Sequence, residues 1–195
     1  MTTNRKAAFV GGGVIGGAWA ARFFLNGWDV VIYDPDPDAK RKNEAVFANA
    51  RAGLPALYDR SLPAEGSITF TTDMADIADA EYIQESVPER IELKLKVYQD
   101  IQAHCRPNAV LASSTSGFKP SELQEGATRP QQILVCHPFN PVYLLPLVEV
   151  VPSEATDATI VDKTRDILTS IGMKPLHVRK EIDAHIADRF LEAVW

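Results

Sequence analysis

A histidine and a glutamate in the second half of the chain have the types and spacing of an acid–base pair. His137 ends an apolar run and opens the run His-Pro-Phe-Asn-Pro, and Glu149 lies within the apolar segment 147–151. A carboxylate in an apolar strand is costly unless it is paired, so we expect Glu149 to bond His137. The other imidazole nitrogen would then be left to accept a proton from a hydroxyl group. A histidine at a strand end also occurs as a purely structural residue, and this alternative stays open on the two residues alone.

A glycine-rich stretch near the start of the chain predicts a dinucleotide site. Gly11, Gly13 and Gly16 have the G-x-G-x-x-G spacing between an apolar run and a helical pattern. The first glycine allows a tight turn, the second lets the backbone approach a pyrophosphate, and the third lets the helix pack closely on the sheet. The backbone N–H groups at the helix start, at Val14 and Ile15, would face the anion. A plain strand-to-helix turn is the structural alternative.

Asp34, at the end of the next apolar run, indicates which dinucleotide is bound. A carboxylate in this place accepts a hydrogen bond from the 2′-hydroxyl group of the ribose and repels a 2′-phosphate. The sequence therefore predicts NAD rather than NADP as the cofactor, with the nicotinamide ring as acceptor of a hydride. Because Asp34 precedes Pro35, it would also serve as a surface turn residue, which is the competing interpretation.

Short apolar runs alternate with longer amphipathic ones along the chain, and this pattern predicts the elements that hold these residues. It is typical of the α/β class, with a doubly wound, mostly parallel sheet of the Rossmann type. We predict strands at 7–10, 30–34, 67–71, 82–85, 109–113, 133–137 and 148–151. We predict helices at 14–26, 37–52, 89–105 and 156–171. Short helices are predicted to begin near Asp73 and Ser121.

The last segment, 183–195, reads as an amphipathic helix within which the sequence stops. One side of this helix carries Ile186, Phe190, Leu191 and Val194. An amphipathic helix needs a surface on which to bury its apolar side. We therefore expect residues 1–183 to form one NAD-binding domain. Residues 184–195 would be the truncated first part of a helical C-terminal domain.

Composition and charge argue against several functions. The formal net charge is −6 and the isoelectric point is near 5.2, which disfavours a nucleic-acid partner. The basic run 40–42 is predicted to be a solvated helix face. No apolar run is long enough for a signal peptide or a membrane span. The two cysteines, Cys105 and Cys136, lie in buried-looking segments, so we predict a cytoplasmic location without disulfide bonds, membrane partner or metal site.

Three longer runs, 84–90, 114–117 and 137–149, carry a resemblance to a known family. Together with the glycine turn they resemble the 3-hydroxyacyl-CoA dehydrogenase superfamily over essentially the whole chain, and within it the branch that acts on carnitine. The resemblance implies oxidation of the 3-hydroxyl group of carnitine by NAD, giving 3-dehydrocarnitine and NADH. A 3-hydroxyacyl-CoA is the alternative substrate. The resemblance also implies a homodimer for the full-length protein.

The resemblance implies roles for particular residues. His137 would be the general base and Glu149 its orienting partner, while Ser116 and Asn140 would place the substrate oxygen and the nicotinamide end of the cofactor. Glu89 and Lys94 match positions that contact the cofactor in the family. From the sequence alone, these two residues are ordinary charges at a helix start and on a helix face.

The chain departs from the family's pattern in two respects. Asp188 stands where the family usually has an asparagine that contacts the substrate, which puts a role on acyl-CoA in doubt. The helical domain that completes the substrate cleft in the family would lie beyond Trp195. A non-catalytic module that only binds NAD is therefore a hypothesis from another class. It gives no reason for the pairing of His137 with Glu149.

Overall fold

One sheet forms the centre of the structure, which is a computed structural model describing residues 5–195. Its strands are β1 (Lys6–Val10), β2 (Asp29–Tyr33), β3 (Ile68–Thr71), β4 (Tyr82–Glu85), β5 (Val110–Ser113), β6 (Ile133–Pro138), β7 (Leu147–Val151) and β8 (Lys174–His177). The α-helices are α1 (Val14–Phe24), α2 (Ala39–Gly53), α3 (Ile91–His104), α4 (Pro120–Leu123), α5 (Ala158–Ser170) and α6 (Ala187–Val194). Short 3₁₀ helices span Leu54–Leu57, Met74–Ile77 and Pro130–Gln132.

The order of the strands confirms a doubly wound, mostly parallel sheet. Across the sheet the order is β3-β2-β1-β4-β5-β6-β7-β8. Neighbouring strands from β3 to β6 pair in parallel, β7 pairs antiparallel to β6, and β8 pairs parallel to β7. The direction in which strands are added reverses between β1 and β4: β2 and β3 lie on one side of β1, and the later strands lie on the other. In such sheets, ligands bind at the carboxyl ends of the strands beside this reversal.

Apolar side chains on both faces of the central strands explain why helices cover both sides of the sheet. In β1, Phe9 lies in one buried cluster and makes an edge-to-face contact with Phe23 of α1, with ring centroids 5.3 Å apart. Val10 lies in the other buried cluster, together with Tyr98 of α3. Each large apolar side chain that is fully buried contributes about 1.5–3 kcal/mol to folding. The two clusters thus hold the central strands, and with them the loops at their carboxyl ends.

The predicted strands and α-helices agree with the structure to within a few residues, except in two places. The prediction missed β8, an edge strand that contains Pro175 and has mostly exposed side chains, so it shows no apolar alternation. The predicted start of the last helix at Asp183 is wrong, since α6 begins at Ala187. Ala184 and His185 have φ values of +56° and +51°, and a right-handed helix cannot continue through that conformation.

The two short helices form where the sequence predicted them. Asp73 caps the first, because its side chain accepts a hydrogen bond of 2.9 Å from the backbone N–H of Ala75. The second, α4, includes Ser121 and begins one residue earlier than predicted, at Pro120. None of the helices formed within residues 5–195 combines the length and apolar character needed to span a bilayer.

Candidate active site

Most of the residues predicted to do chemistry lie at or directly after strand ends along one edge of the sheet. The parallel strands β1, β2, β4, β5 and β6 all end at this edge. A cleft of about 660 Å³ opens there, at the reversal between β1 and β4. Its lining includes Gly11, Gly13, Asp34, Ser86, Val87 and Pro88. The cleft therefore lies where a doubly wound sheet binds its ligand.

The three glycines of the turn occur there for different structural reasons. Gly11 has φ +99°, and a Cβ there would lie 2.8 Å from the backbone of Ser86. A Cβ on Gly16 would lie 1.8 Å from the carbonyl oxygen of Gly11, so the helix packs against the turn only without a side chain. A Cβ on Gly13 would meet nothing within 4 Å, because this residue faces the open cleft. Two glycines thus shape the turn and the third leaves room for a ligand.

Helix α1 begins directly after Gly13, a residue of the cleft lining. The helix begins at Val14, its N-cap Gly13 has no side chain to cap it, and its first turn has no acidic residue. The first N–H groups of an α-helix have no partner within the helix, so those of Val14 and Ile15, directly after the cleft residue Gly13, are available as donors. This donor set fits the pyrophosphate of a dinucleotide.

Asn43 of α2 is a residue of the site that the sequence did not reveal. Its buried side chain donates hydrogen bonds from Nδ2 to the carbonyl oxygen of Gly12 at 2.7 Å and to that of Ala39 at 2.8 Å. A Cβ on Gly17 would lie 1.6 Å from Asn43 Oδ1, so the second helix is pressed onto the turn. No sequence motif predicts that an asparagine within a helix makes such a contact. Only the tertiary structure shows that Asn43 supports the glycine turn.

Asp34 lies in the wall of the cleft, directly after β2. Its Oδ2 accepts a hydrogen bond of 2.6 Å from the N–H of Gly12, and its Oδ1 accepts one of 2.8 Å from the N–H of Asp36. The carboxylate is therefore both a turn residue and a support of the glycine turn. It is half-buried and lines the cleft, so it also remains available to a ribose hydroxyl group.

Lys94 is buried, so its interpretation as an ordinary helix-face charge is wrong. Its side chain is 1% exposed, and Nζ lies 2.8 Å from Glu85 Oε1 and 3.2 Å from Glu89 Oε2. Glu89 is 44% exposed and carries this charge network to the surface. Burial alone would raise the pKa of Glu89, but the hydroxyl of Thr115 and the ammonium of Lys94 outweigh it and lower that pKa. Contact of Glu89 and Lys94 with a cofactor stays a prediction.

Glu85, the last residue of β4, is the buried centre of this network, and sequence reasoning missed it. Its carboxylate accepts hydrogen bonds from the N–H of Val87 at 2.7 Å and from Lys94 Nζ at 2.8 Å. It also accepts from the hydroxyls of Tyr98 at 2.6 Å and Ser113 at 2.7 Å. A buried carboxylate needs such a set of donors. The network joins the ends of β4 and β5 to α3 below the cleft.

The expected contact between His137 and Glu149 is present. The two residues stand directly opposite each other in the antiparallel pair β6–β7, so their side chains project from the same face. His137 Nδ1 lies 2.9 Å from Glu149 Oε2, and both side chains are buried. Because a carboxylate can only accept, Nδ1 carries the proton in this contact and Nε2 is left as the basic nitrogen of the neutral ring.

The second oxygen of Glu149 holds the start of α6. Oε1 accepts hydrogen bonds from the N–H groups of Ile186 at 2.9 Å and Ala187 at 3.0 Å. A negative charge is stabilised at the N-terminus of a helix. The carboxylate thus connects the imidazole of His137 to the last helix, a contact that the predicted helix start at Asp183 did not anticipate.

Ser116 and Asn140 lie on the loops that follow β5 and β6, at the same edge of the sheet as His137. Both residues are exposed, and neither side chain forms a hydrogen bond with another residue in the part of the chain that the structure describes. They are therefore accessible to a bound molecule. Their roles in placing the substrate oxygen and the nicotinamide stay predictions.

The two cysteines are buried and free, as expected from the absence of a disulfide pattern. Burial raises the pKa of the Cys136 thiol to about 12. A thiol with such a pKa forms almost no thiolate at neutral pH, and the thiolate is the nucleophilic form. Cys136 therefore contributes to packing and does not act as a nucleophile.

His185, next to His137 and Glu149, makes the stability of the folded chain depend on pH. Burial lowers the pKa of His185 below the ordinary value of 6.5, and the hydrogen bond with Thr115 only partly opposes this. His137, Glu149 and Asp188 are the titratable groups that act on it. The neutral ring therefore contributes stability that is present above about pH 6.5 and is lost as the pH falls through the folded-state pKa.

We expect the free energy of unfolding to decrease as the pH falls below about 6.5, because the unfolded chain then binds a proton that folded His185 resists. Urea unfolding at about pH 7.5 and about pH 5.5 measures this decrease. In the variant His185→Phe the decrease should be smaller. An equal decrease in both proteins would contradict the assignment to His185.

The sheet and the glycine turn at its reversal define the class of Rossmann-type dinucleotide-binding domains. A family model described as "3-hydroxyacyl-CoA dehydrogenase, NAD binding domain" matches residues 6–182. The chain belongs to the 3-hydroxyacyl-CoA dehydrogenase family, and the matched region is the NAD-binding domain of that family.

Proteins similar to this chain include curated enzymes and a solved structure. The chain is 62% identical over 196 residues to "L-carnitine dehydrogenase/betainyl-CoA thioesterase" of Ruegeria pomeroyi, covering 100% of the chain and 40% of that protein. It is 50% identical over 197 residues to "L-carnitine dehydrogenase" of Mesorhizobium japonicum, covering 100% of the chain and 54% of that protein. An NAD⁺-dependent dismutase, 5-formyl-3-hydroxy-2-methylpyridine 4-carboxylic acid 5-dehydrogenase, superposes with a TM-score of 0.90 at 33% identity, covering 98% of this chain and 63% of that one.

Proposed function

We propose that this chain supplies the NAD site and the catalytic residues of a dehydrogenase that oxidises the 3-hydroxyl group of L-carnitine to 3-dehydrocarnitine. The observation that carries the chemistry is the buried pair of His137 Nδ1 and Glu149 Oε2, 2.9 Å apart, at the cleft edge of the sheet. The substrate is supported by the names of the relatives from Ruegeria pomeroyi and Mesorhizobium japonicum. The chain spans 40% and 54% of the lengths of these two relatives, so the activity proposed is that of the complete gene product.

Different residues of the site would bind different parts of NAD. The turn at Gly11, Gly13 and Gly16 would receive the pyrophosphate, with the N–H groups of Val14 and Ile15 as donors. Asp34 would accept hydrogen bonds from the adenosine ribose. Glu89, supported by Lys94, would contact the cofactor. When bound, NAD accepts a hydride from the substrate.

His137 would act as the general base of the oxidation. Its Nε2 accepts the hydroxyl proton of the substrate while the C3–H bond breaks and the carbonyl group forms, so the C–H electron pair leaves as hydride. Glu149 stabilises the imidazolium that results, since its Oε2 already accepts the bond from Nδ1. Ser116 and Asn140 would hold the substrate oxygen within reach of Nε2. In the reverse direction, the same imidazolium returns the proton.

The test of the substrate class is a comparison of NADH formation by the complete gene product. We expect L-carnitine to be oxidised faster than D-carnitine and faster than 3-hydroxybutyryl-CoA. The acyl-CoA is the matched alternative because it carries the same 3-hydroxyl chemistry without the trimethylammonium group. Faster oxidation of the acyl-CoA would replace the proposed substrate but keep the proposed base. No NADH with any of the three would contradict the proposed function.

The preference for NAD is expected to depend on the charge of Asp34. The variant Asp34→Asn should reduce the ratio of NAD to NADP affinity by about 10-fold or more, because it removes the repulsion between a carboxylate and a 2′-phosphate. Titration calorimetry with each cofactor measures the two Kd values. Asp38→Asn is the matched control, since Asp38 is exposed at the start of α2 and pairs with Arg41. Equal affinities for NAD and NADP in the unmutated protein would refute the assignment.

We propose that residues 1–183 form the NAD-binding domain and that residues 184–195 begin a helical domain. Helix α6 supports this, because Phe190 is 68% exposed and Val194 is 80% exposed on a face suited to packing. The greater length of the two relatives also supports it. A homodimer and a cytoplasmic location belong to the same proposal, the latter supported by the free cysteines. Light scattering on the complete gene product tests the dimer, and a monomeric mass would contradict it.

A further inference from the structure

The segment 184–187 brings three parts of the candidate active site together. His185 Nε2 lies 3.1 Å from the carbonyl oxygen of Thr115, and its ring centroid lies 5.2 Å from that of His137. The next two backbone N–H groups donate to Glu149 Oε1. One short segment therefore contacts the loop that bears Ser116, the proposed base and the partner of that base.

The backbone of this segment is in a conformation that residues other than glycine rarely adopt. Ala184 and His185 both have left-handed φ values, +56° and +51°. Such a conformation persists only where surrounding contacts hold it. His185 is fully buried, and its hydrogen bond and ring contact supply these contacts. The side chain is therefore tied to the backbone geometry that aims the two N–H groups at Glu149.

The imidazole of His185 has one nitrogen with a partner and one without. Because the Thr115 carbonyl can only accept, Nε2 carries the proton and Nδ1 is a bare acceptor. Nδ1 is buried and has no hydrogen-bond partner among the described residues. Burial lowers the pKa of this ring, which keeps it neutral beside His137. A phenyl ring would fill the same space without an unpaired nitrogen, so packing alone does not explain an imidazole. The Nε2–H bond to Thr115 does.

Thr115 is the residue through which this bond reaches the rest of the site. It directly precedes Ser116, which we expect to place the substrate oxygen. Its hydroxyl group donates to Glu89, which in turn pairs with Lys94. A shift of the Thr115 carbonyl would therefore move Ser116 relative to His137.

We propose that His185 is a positioning residue that sets the loop of Ser116 against the His137–Glu149 pair through its Nε2–H bond to Thr115 and its contact with the His137 ring. The kinetic consequence of this inference rests on the proposed function, whereas its structural consequence does not. His185 acts through Thr115 and His137 and needs no contact with substrate. A displacement of about 1 Å at a reacting group lowers turnover strongly.

Two variants separate the contributions of His185. His185→Phe keeps a ring against His137 and loses the donor, while His185→Gln keeps an N–H donor of similar reach and loses the ring. His177→Phe is the matched control, because His177 is exposed on β8. Thermal unfolding shows whether each variant folds. If one of the two His185 variants does not fold, the conclusion is drawn from the other His185 variant.

The decisive readout is nitrogen-15 NMR of the histidine rings, which is practical because the chain has 4 histidines. We expect wild-type His185 to show a protonated Nε2 and an unprotonated Nδ1. His185→Phe should shift the amide signals of Ser116 and Gly117, His185→Gln should restore them in part, and both should shift the ring signals of His137. Unchanged Ser116 and His137 signals in both variants would overturn the proposal. This readout needs no turnover, so it stands apart from the proposed function.

Kinetics on the complete gene product give the second readout. We expect His185→Phe to lower kcat by about 10-fold or more while the Kd for NAD changes little, with partial recovery in His185→Gln. His177→Phe should leave both quantities unchanged. A wild-type kcat in His185→Phe would overturn the positioning role. If the wild-type protein forms no NADH, the proposed function fails and the NMR result still decides the role of His185.

Discussion

His137→Ala should lower turnover with L-carnitine by about 100-fold or more and leave the affinity for NAD largely intact. The variant removes His137 Nε2, the proposed acceptor of the hydroxyl proton, so the hydride would have to leave a neutral alcohol. The glycine turn and Asp34 lie at other strand ends and do not contact His137. Steady-state kinetics and titration calorimetry with NAD measure the two effects separately.

His104→Ala is the control for this change. His104 lies at the end of α3, where its ring is partly exposed and its Nδ1 lies 2.9 Å from the carbonyl oxygen of Asp100 of the same helix. Its loss should leave turnover unchanged. Near-normal turnover in His137→Ala would show that the proton goes elsewhere, even if NAD still binds as proposed.

Glu149→Gln should lower turnover by about 10-fold to 100-fold and also destabilise the protein. Glutamine has one acceptor oxygen, whereas Glu149 uses one oxygen for His137 and the other for Ile186 and Ala187. The amide NH₂ group would therefore face either a ring N–H or two backbone N–H groups. The imidazolium formed during the reaction also loses the charge that stabilises it, and a buried donor left without an acceptor typically costs about 1–3 kcal/mol of stability.

The effect of Glu149→Gln is measured by kcat together with the urea midpoint of unfolding. Glu154→Gln is the matched control, because Glu154 is an exposed glutamate on the loop after β7. We expect this control to change neither quantity. A stable Glu149→Gln variant with normal kcat would mean that the carboxylate charge has no part in the reaction.

The parts of the site that could be predicted from the sequence are those that local pattern determines. The glycine turn has its spacing because Gly11 and Gly16 cannot carry a side chain, and this requirement is visible without a structure. The contact of His137 with Glu149 was predictable because a carboxylate in an apolar strand needs a partner nearby. The strands were found because most are buried on both faces and read as continuous apolar runs.

The parts that could not be predicted depend on contacts between distant segments. Lys94 looks like any lysine on a helix, and its burial follows from Glu85 at the end of another strand. Asn43 supports the glycine turn only because α2 packs across it. The start of α6 was misplaced because the left-handed backbone at His185 is held by Thr115, 70 residues earlier. No periodicity in the sequence reports such contacts.

The central claim is that the complete gene product moves a hydride from C3 of carnitine to NAD with His137 as the base. The most direct measurement uses L-carnitine deuterated at C3 and detects deuterium in the NADH by mass spectrometry. We predict that the NADH formed by the wild-type protein carries the deuterium, and that its formation is about 100-fold slower or more in His137→Ala. NADH without deuterium, or equal rates in the two proteins, would contradict the claim.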